Sequence, residues 1–485
     1  MEYDRVIADI ARYVYGKDVK NKASFEHARL ALLDAVGCAI EAISKSLECR
    51  RILKPWSEET TVPNGFRLPG TEYRLDPVMG AFSFGTQIRY LDHNDALGGK
   101  DWGHPSDNLG AILAVADWLN RCERSGARVH NGPPLTIGTV FEALIKAYEI
   151  QGLFLMDNAF NAQGLDHVIL VKLASTAVVS WLIGLTEQEA MGAISQVFMD
   201  NSPLRVYRSA PNTISRKGWA GGDACMRAVQ FALLTKRGQQ GAPTALTARK
   251  WGFYDTMWKG GEFSLPRPYG ELVVGITFYK VIACEGHGIS AVEAALKLHA
   301  IFKARGIDVV DKLKRLRIRT TASAALIINK TGPLVNAADR DHCIQYMVAV
   351  TLLKGSIVEP YDYQDASPWA SDARVDLLRQ RMEIHEDVGL TRDYNDLEKR
   401  SVANGLSALL LDSTALEEIL VEYPTGHRHN PATLAAVEQK FWRNMSGIFA
   451  ESEIKAVLAA VRRTETPVME FVDMLARPNG VGARL

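Results

Sequence analysis

Apolar residues between Ser24 and Ser44 recur at helical spacing, at Phe25, Ala28, Leu32, Ala35, Val36, Ala39 and Ile40. A stripe at i, i+3, i+4 and i+7 predicts an amphipathic helix. The same spacing returns at 109–121, 140–150, 168–184 and 222–235, so the first half of the chain is expected to be helical. Between Lys54 and Asp76, three prolines, two glycines and the run TVPNGFRLPGTEYRL predict irregular or short-stranded chain. A helix is expected over Ser290–Ala304. The period then changes, because Arg315 to Thr320 alternate polar and apolar as a strand does. Ser407–Leu411 and Glu418–Tyr423 flank a polar Asp412–Thr414 turn and predict a hairpin, and Thr433–Met445, Glu451–Arg463 and Val468–Ala476 return to helix. The expected fold is mainly α. A large all-α domain takes residues 1–275 and 425–485, and a smaller α+β domain takes 276–424.

Composition narrows the class. The 485 residues carry 56 Lys+Arg against 56 Asp+Glu, so no basic stripe is available to neutralise a phosphate backbone and nucleic acid is an unsuitable partner. Hydrophobic residues at 47% and charged residues at 23% are globular averages. The six cysteines (Cys38, Cys49, Cys122, Cys225, Cys284 and Cys343) are far apart with no CxxC, which predicts buried, reduced thiols and a chain that is not secreted. The most apolar window, 167–186, is interrupted by Lys172, Ser175, Thr176 and Ser180, so a buried helix is expected there and not a membrane span. The N-terminus, MEYDRVIADIARYV, lacks a secretory pattern and leaves cytosol and organelle both open.

GxGxxG, GxxxxGK[ST], GxSxG and HExxH are absent, which removes most support for nucleotide and common hydrolase chemistry. Polar residues concentrate instead in Tyr90-Leu-Asp-His-Asn-Asp95 and Trp102-Gly-His-Pro-Ser-Asp-Asn108. His104-Pro105-Ser106 leads into the apolar run Leu109–Leu119, so Ser106 or a neighbour is expected to cap a helix whose N-terminal amides suit an anion facing His104. On the blander reading, Ser106, Asp107 and Asn108 only cap that helix and His104 is a surface loop residue. Asp92, His93, Asp95 and His104 are also possible metal ligands by type, but no diagnostic ligand spacing supports one, and no metal or other cofactor is expected.

A second island runs from Leu204 to Trp219 and crowds Arg205, Arg208, Arg216 and Lys217 ahead of a small-residue helix start. Arginine forks and a lysine point charge suit carboxylates or phosphates. A solvated basic loop is the alternative, although Trp219, Gly221 and Gly222 suggest close packing. His167 and His287 each precede a helix, either as packed core histidines or as part of an anion pocket with His104. His342 is a weaker candidate, and His27, His130, His299, His385, His427 and His429 read as surface or helix residues.

The runs RYLDHND…DWGHPSDNLGAILAVADWLNR (89–121), GLDHVILVKLAST (164–176), PNTISRKGWAGGDA (211–224), ALTARKWGFYD (245–255) and GPLVNAADRDHCIQYMVAV (332–350) resemble the MmgE/PrpD family over nearly the full chain. Within it, the resemblance is to the 2-methylcitrate dehydratases of propionate degradation. It implies a homodimer, a helical domain with an α+β lid, a site in the cleft and a small tricarboxylate substrate. It also implies a bacterial cytosolic or fungal mitochondrial matrix location. Carried over by position, Asp92, His104, Lys217, His167 and His287 match the family's active-site residues. Ser106, Asn108, Tyr207, Arg208 and Arg216 are adjacent candidates for holding carboxylates. The chain departs from the family at His93-Asn94-Asp95-Ala96, where a threonine hydroxyl is missing and His93 replaces an aromatic residue. Val281–His287 also lacks a proline common before that histidine.

The implied reaction removes a proton beside a carboxylate and expels hydroxide from the neighbouring carbon, which needs a base, an acid and cations for the developing enolate. The residues assign Asp92 and His104 as the proton-handling pair, Lys217 as the electrostatic partner, and His167 and His287 to orientation. Aconitases perform such dehydrations with an iron–sulfur cluster held by three cysteines, a ligand set this sequence lacks. Decarboxylation of cis-aconitate to itaconate is the rival chemistry within the family. A catalytically idle binding or structural role is the rival from outside enzymology.

Overall fold

A computed structural model describes residues 2–57, 60–200, 202–209, 211–396 and 398–477. Glu58 and Glu59 of the expected irregular stretch, and Ala210 of the second polar island, lie outside them. The chain folds as two compact units, Met1–Thr277 with Val437–Leu485, and Phe278–Ala436. Residues 425–436 therefore join the α+β unit and not the helical one. Within that unit Thr425 N donates to Glu293 Oε1 at 2.8 Å, and Gly426 O accepts from Tyr279 N at 3.0 Å.

The first unit is built from helices, among them Lys22–Lys45, Leu109–Arg124, Ile137–Asp157, Val168–Leu182 and Arg216–Lys236. It is not purely α, because two short ladders interrupt it, Phe66–Arg67 with Arg74–Leu75 and Leu97–Gly98 with Trp102–Gly103. Among the helices that lie where periodicity predicts none are Arg5–Gly16, Pro77–Arg89 and Glu187–Met199. The second of these is central to the unit. Asp76 caps it by accepting from Val78 N and Met79 N, and Pro77 opens it. Its sequence, PVMGAFSFGTQIR, shows no apolar stripe because Gly80, Ser83, Gly85, Thr86 and Gln87 break up the apolar run, although nearly every residue from Gly80 onward is buried. Glycine permits the coverage, since a Cβ on Gly222 would stand 2.4 Å from Phe82 O. The C-terminal helix Val468–Leu475 is tied into this unit through Arg121, whose Nη2 meets Asp473 Oδ1 at 2.5 Å.

The second unit holds a four-stranded sheet in the order Met382–Glu386, Leu313–Thr320, Asn404–Leu410, Ile419–Val421. The first pair is parallel, and the chain between them forms helices as a parallel crossover requires. The other two pairs are antiparallel, the last being the expected hairpin. A register shift between Leu313 and Arg315 lets Leu313, Leu316, Ile318 and Thr320 all face inward. Leu313, Leu316 and Ile318 share a core with Ile289, Leu298, Met347 and Leu406 from the neighbouring helices and strand. The architecture is the mainly α fold with a smaller α+β part that the pattern predicts. Among the described residues no helix is long and apolar enough to cross a membrane. All six cysteines are buried and free.

Candidate active site

The Pro77–Arg89 helix ends in the turn Tyr90–Asp95, and Asp92 adopts a φ of 53°. A non-glycine residue holds this left-handed conformation only where its surroundings fix it. Here buried charges do so. Lys440 Nζ donates to His93 O at 2.6 Å and to Asp34 Oδ1 at 2.7 Å, and His93 Nδ1 meets Glu41 Oε2 at 2.5 Å. Burial lowers the His93 pKa, so a neutral imidazole donates to Glu41. Burial alone would raise the Glu41 pKa, but the hydrogen bond from His93 and the charge of Lys45 outweigh it and keep the carboxylate ionised.

Past the turn, the Leu97–Gly98/Trp102–Gly103 ladder returns the chain to His104, which precedes a 3-10 turn at Pro105–Asn108. None of Ser106, Asp107 and Asn108 caps the following helix through its side chain, contrary to the capping expectation. Ser106 donates through N and Oγ to Asp95 Oδ1, at 3.1 and 2.5 Å, while Tyr148 OH donates to Asp95 Oδ2 at 2.7 Å. Asn108 donates to Pro105 O and Gln151 Oε1 and accepts from Ser175 Oγ at 2.7 Å. Ser106 and Asn108 thus brace the loop through their hydrogen bonds to Asp95, Pro105, Gln151 and Ser175. Asp107 accepts from Asn94 Nδ2 at 2.9 Å and is fully covered; burial raises its pKa to about 7, and that of Asp95 to about 6.

His104 is the product of this bracing. Its Nδ1–H donates to Asp95 O at 2.6 Å, which fixes the tautomer and leaves Nε2 as the acceptor. Arg89 Nη2 donates to that Nε2 at 2.8 Å, and Nη1 of the same guanidinium pairs with Asp92. The four residues weighed as metal ligands therefore each turn to a protein partner: Asp92 to Arg89, His93 to Glu41, Asp95 to Ser106 and Tyr148, His104 to Arg89 and Asp95.

His167 stands beside His104 with ring centroids 5.4 Å apart. It is 2% exposed, and burial depresses its pKa strongly, so the ring is neutral. Its Nδ1 has no hydrogen-bond partner among the described residues, an unmet polar demand that a bound ligand would satisfy. Asp166, before it, receives Arg208 through Nε at 2.5 Å and Nη2 at 3.2 Å. Burial pushes the Asp166 pKa up, but Arg208 outweighs it and holds the carboxyl far below its usual range. Two of Arg208's donor groups are thereby spent on Asp166. Its guanidinium lies 5.1 Å from the Tyr207 ring and that of Arg216 5.5 Å, so Tyr207 stacks against both cations. Lys217 is buried in the first turn of the Arg216–Lys236 helix, whose start packs on Tyr90. The second island is accordingly mixed: Tyr207, Thr213 and Lys217 are buried, while Leu204, Val206, Ser209, Pro211, Asn212, Ile214 and Ser215 are exposed.

His287 belongs to the other unit and has its own setting. Its backbone N donates to Glu285 Oε2 at 2.8 Å, Nδ1 lies 3.0 Å from Glu285 Oε1, and Nε2 is 3.2 Å from Tyr394 OH. Burial opposes ionisation of Glu285, but His287 and His342 hold its pKa at about 2. His342 pairs with Asp341 at 2.6 Å. His427, expected at the surface or on a helix, is instead 3% exposed in a loop, stacked on Tyr423 at 4.8 Å and held by Arg400 O.

Residues 8–266 match the MmgE/PrpD N-terminal domain and residues 282–466 the MmgE/PrpD C-terminal domain. The chain belongs to the MmgE/PrpD family. It is 52% identical over 482 residues to alkylcitrate dehydratase phiI of a fungal species, covering 99% of this chain and 95% of that one. It is 47% identical to the 2-methylcitrate dehydratase of Cupriavidus necator and 45% to that of Escherichia coli, in each case over 98% of this chain and 97% of the relative. In this MmgE/PrpD chain the residues that sequence reasoning passes over are Arg89, Tyr148 and Asp166, and Asp95, weighed only as a metal ligand, serves as the brace of the loop. Arg89 and Asp95 sit inside the quoted run RYLDHND and Asp166 directly precedes His167, so position within the motifs was the available signal.

Proposed function

We propose that the chain is a hydro-lyase that removes water from 2-methylcitrate to give 2-methyl-aconitate without a metal, in propionate catabolism. The observation that carries this reading is the Asp92–Arg89–His104 string beside the neutral, under-bonded His167. A tricarboxylate brings negative charge to this cluster and competes for Arg89. As the guanidinium turns to a substrate carboxylate, His104 Nε2 and Asp92 gain the freedom to handle protons: one takes the proton beside the carboxylate, and the other, protonated as the substrate binds, gives its proton to the departing hydroxide so that water leaves. Lys217 and Arg89 then face the charge that grows on the enolate, where a positioned cation counts most. The free Nδ1 of His167 suits a substrate hydroxyl or carboxylate. The names of the relatives and their full-length similarity support the same chemistry. The family resemblance also supports a homodimer, tested by light scattering for a species of twice 53.5 kDa.

The deciding experiment incubates chelator-treated protein separately with 2-methylcitrate, citrate and cis-aconitate, following double-bond absorbance and itaconate. Absorbance rising fastest with 2-methylcitrate is expected. Itaconate from cis-aconitate would move the assignment to decarboxylation, and silence in every tube would leave an idle binding protein.

A further inference from the structure

The ribbon Phe66–Arg67/Arg74–Leu75 sets Arg67 directly opposite Arg74. Like charges directly opposed on a ladder destabilise it, so this pair carries a cost that an anion would offset. Two more arginines, Arg121 and Arg124, come from the last turn of the Leu109–Arg124 helix. All four line one cavity of about 230 Å³. Its wall is tied together where Asn64 Nδ2, just ahead of the ribbon, donates to Ser125 Oγ at 2.9 Å just past the helix. The helix has 16 residues, about 24 Å at 1.5 Å per residue, and the His104 loop lies at its other end. The cavity is therefore separate from the candidate active site.

Acidic side chains offset these cations only in part. Asp473 Oδ1 alone takes Arg67 Nη1 at 2.9 Å and Arg121 Nη2 at 2.5 Å, and Asp117 Oδ2 takes Arg121 Nε at 2.9 Å. Arg124 reaches Glu470 Oε1 only at 3.4 Å, with both side chains more than half exposed, and such a pair contributes little. The Arg74 side chain is exposed and has no ion pair or hydrogen bond among the described residues. Four guanidinium groups thus meet three carboxylates, and Arg74 and Arg124 keep most of their donors. Each presents five N–H groups in a fork that matches the paired oxygens of a carboxylate or phosphate.

We propose that this cavity binds a compact oxyanion carrying two or more negative charges, a phosphoryl group or a polycarboxylate, held by Arg74 and Arg124. The space equals that of about eight water molecules, which suits one such anion. The proposal concerns a site of its own and stands independently of the dehydratase reading. Because the recognition is ionic and partly exposed, added salt weakens it.

The test is equilibrium dialysis of the full chain at low ionic strength, once against labelled pyrophosphate and once against labelled tricarballylate, a tricarboxylate with no hydroxyl to eliminate. The candidate active site is cationic too, so Lys217→Ala is dialysed alongside. A saturable site is expected for at least one probe, retained in Lys217→Ala and weakened at least about tenfold by Arg74→Gln and by Arg124→Gln, the scale of one charged hydrogen bond. Both arginine variants should keep the circular dichroism and turnover of the wild type. Binding of pyrophosphate alone would identify phosphoryl groups as the ligand, and binding of tricarballylate alone would identify polycarboxylates. Saturable binding of neither probe, or binding that both arginine variants leave unchanged, would overturn the proposal.

Discussion

The guanidinium of Arg89 joins Asp92 to His104, with Nη2 2.8 Å from His104 Nε2 and Nη1 on the Asp92 carboxylate. One buried cation thus occupies both proposed proton-handling groups, and its planar fork is what allows it to reach two partners at once. A lysine keeps the charge but presents it at a single point. Arg89→Lys is therefore expected to lower kcat for 2-methylcitrate by about a hundredfold, the scale on which a positioned donor acts. Turnover near that of the wild type would remove Arg89 from the machinery.

His104→Ala and Lys217→Ala are each expected to reduce turnover at least about a hundredfold, since each removes a positioned proton carrier or cation. Far-ultraviolet circular dichroism should be unchanged. His104 leaves behind the Asp95 carbonyl and Arg89, and Arg89 still has Asp92. Near-normal rates in both variants would dissolve the site assignment.

The helices that sequence pattern reveals carry frequent large apolar residues, such as Lys22–Lys45, buried at every residue from Ala28 to Ile43, and Leu109–Arg124. In the helix that organises the site, Pro77–Arg89, Gly80, Ser83, Gly85, Thr86 and Gln87 break up the apolar run, and with it Arg89 stays out of view. The polar run 92–108 announces a site through its density, but not what each member does. Ser106 and Asn108 have the side chains of carboxylate binders and serve as braces, because their partners Asp95, Gln151 and Ser175 come from segments up to 67 residues away. Lys440 is farther still, 347 residues from the His93 carbonyl it holds. No local spacing encodes such a contact.

Asp107 gives a pH test with a defined sign. Its carboxyl is fully buried, Oδ2 has no hydrogen-bond partner among the described residues, and a Cβ on Gly221 would come within 2.8 Å of that oxygen. Burial raises its pKa from 3.8 to about 7, so the folded state prefers the neutral form. Below pH 4 the group is protonated folded or unfolded and its stabilisation is complete. As pH climbs from 4 to 7 the unfolded chain ionises first, and stability drains away by an amount on the order of 4 kcal/mol. Asp107→Asn keeps an acceptor for Asn94 and cannot ionise. Urea melts of the two proteins should show the variant gaining on the wild type from pH 4 to 7 and running parallel above that range. A constant difference across it would mean that Asp107 is ionised in the fold.

Lys440 is the anchor of the Asp92 turn, and its removal separates stability from catalysis. It is 2% exposed and contacts a carboxylate and a carbonyl that are equally enclosed. Lys440→Met leaves Asp34 buried and without its cation, a change expected to cost about 3–5 kcal/mol in urea unfolding. Adding Asp34→Asn removes the stranded charge, so the double variant should recover much of that loss. Recovery of stability should not restore turnover. The His93 carbonyl still lacks its donor, the adjacent Asp92 loses part of what holds its φ at 53°, and kcat should remain at least about tenfold low. A double variant that regains both stability and full kcat would show that the ion pair serves the fold alone and that the turn keeps its shape without it.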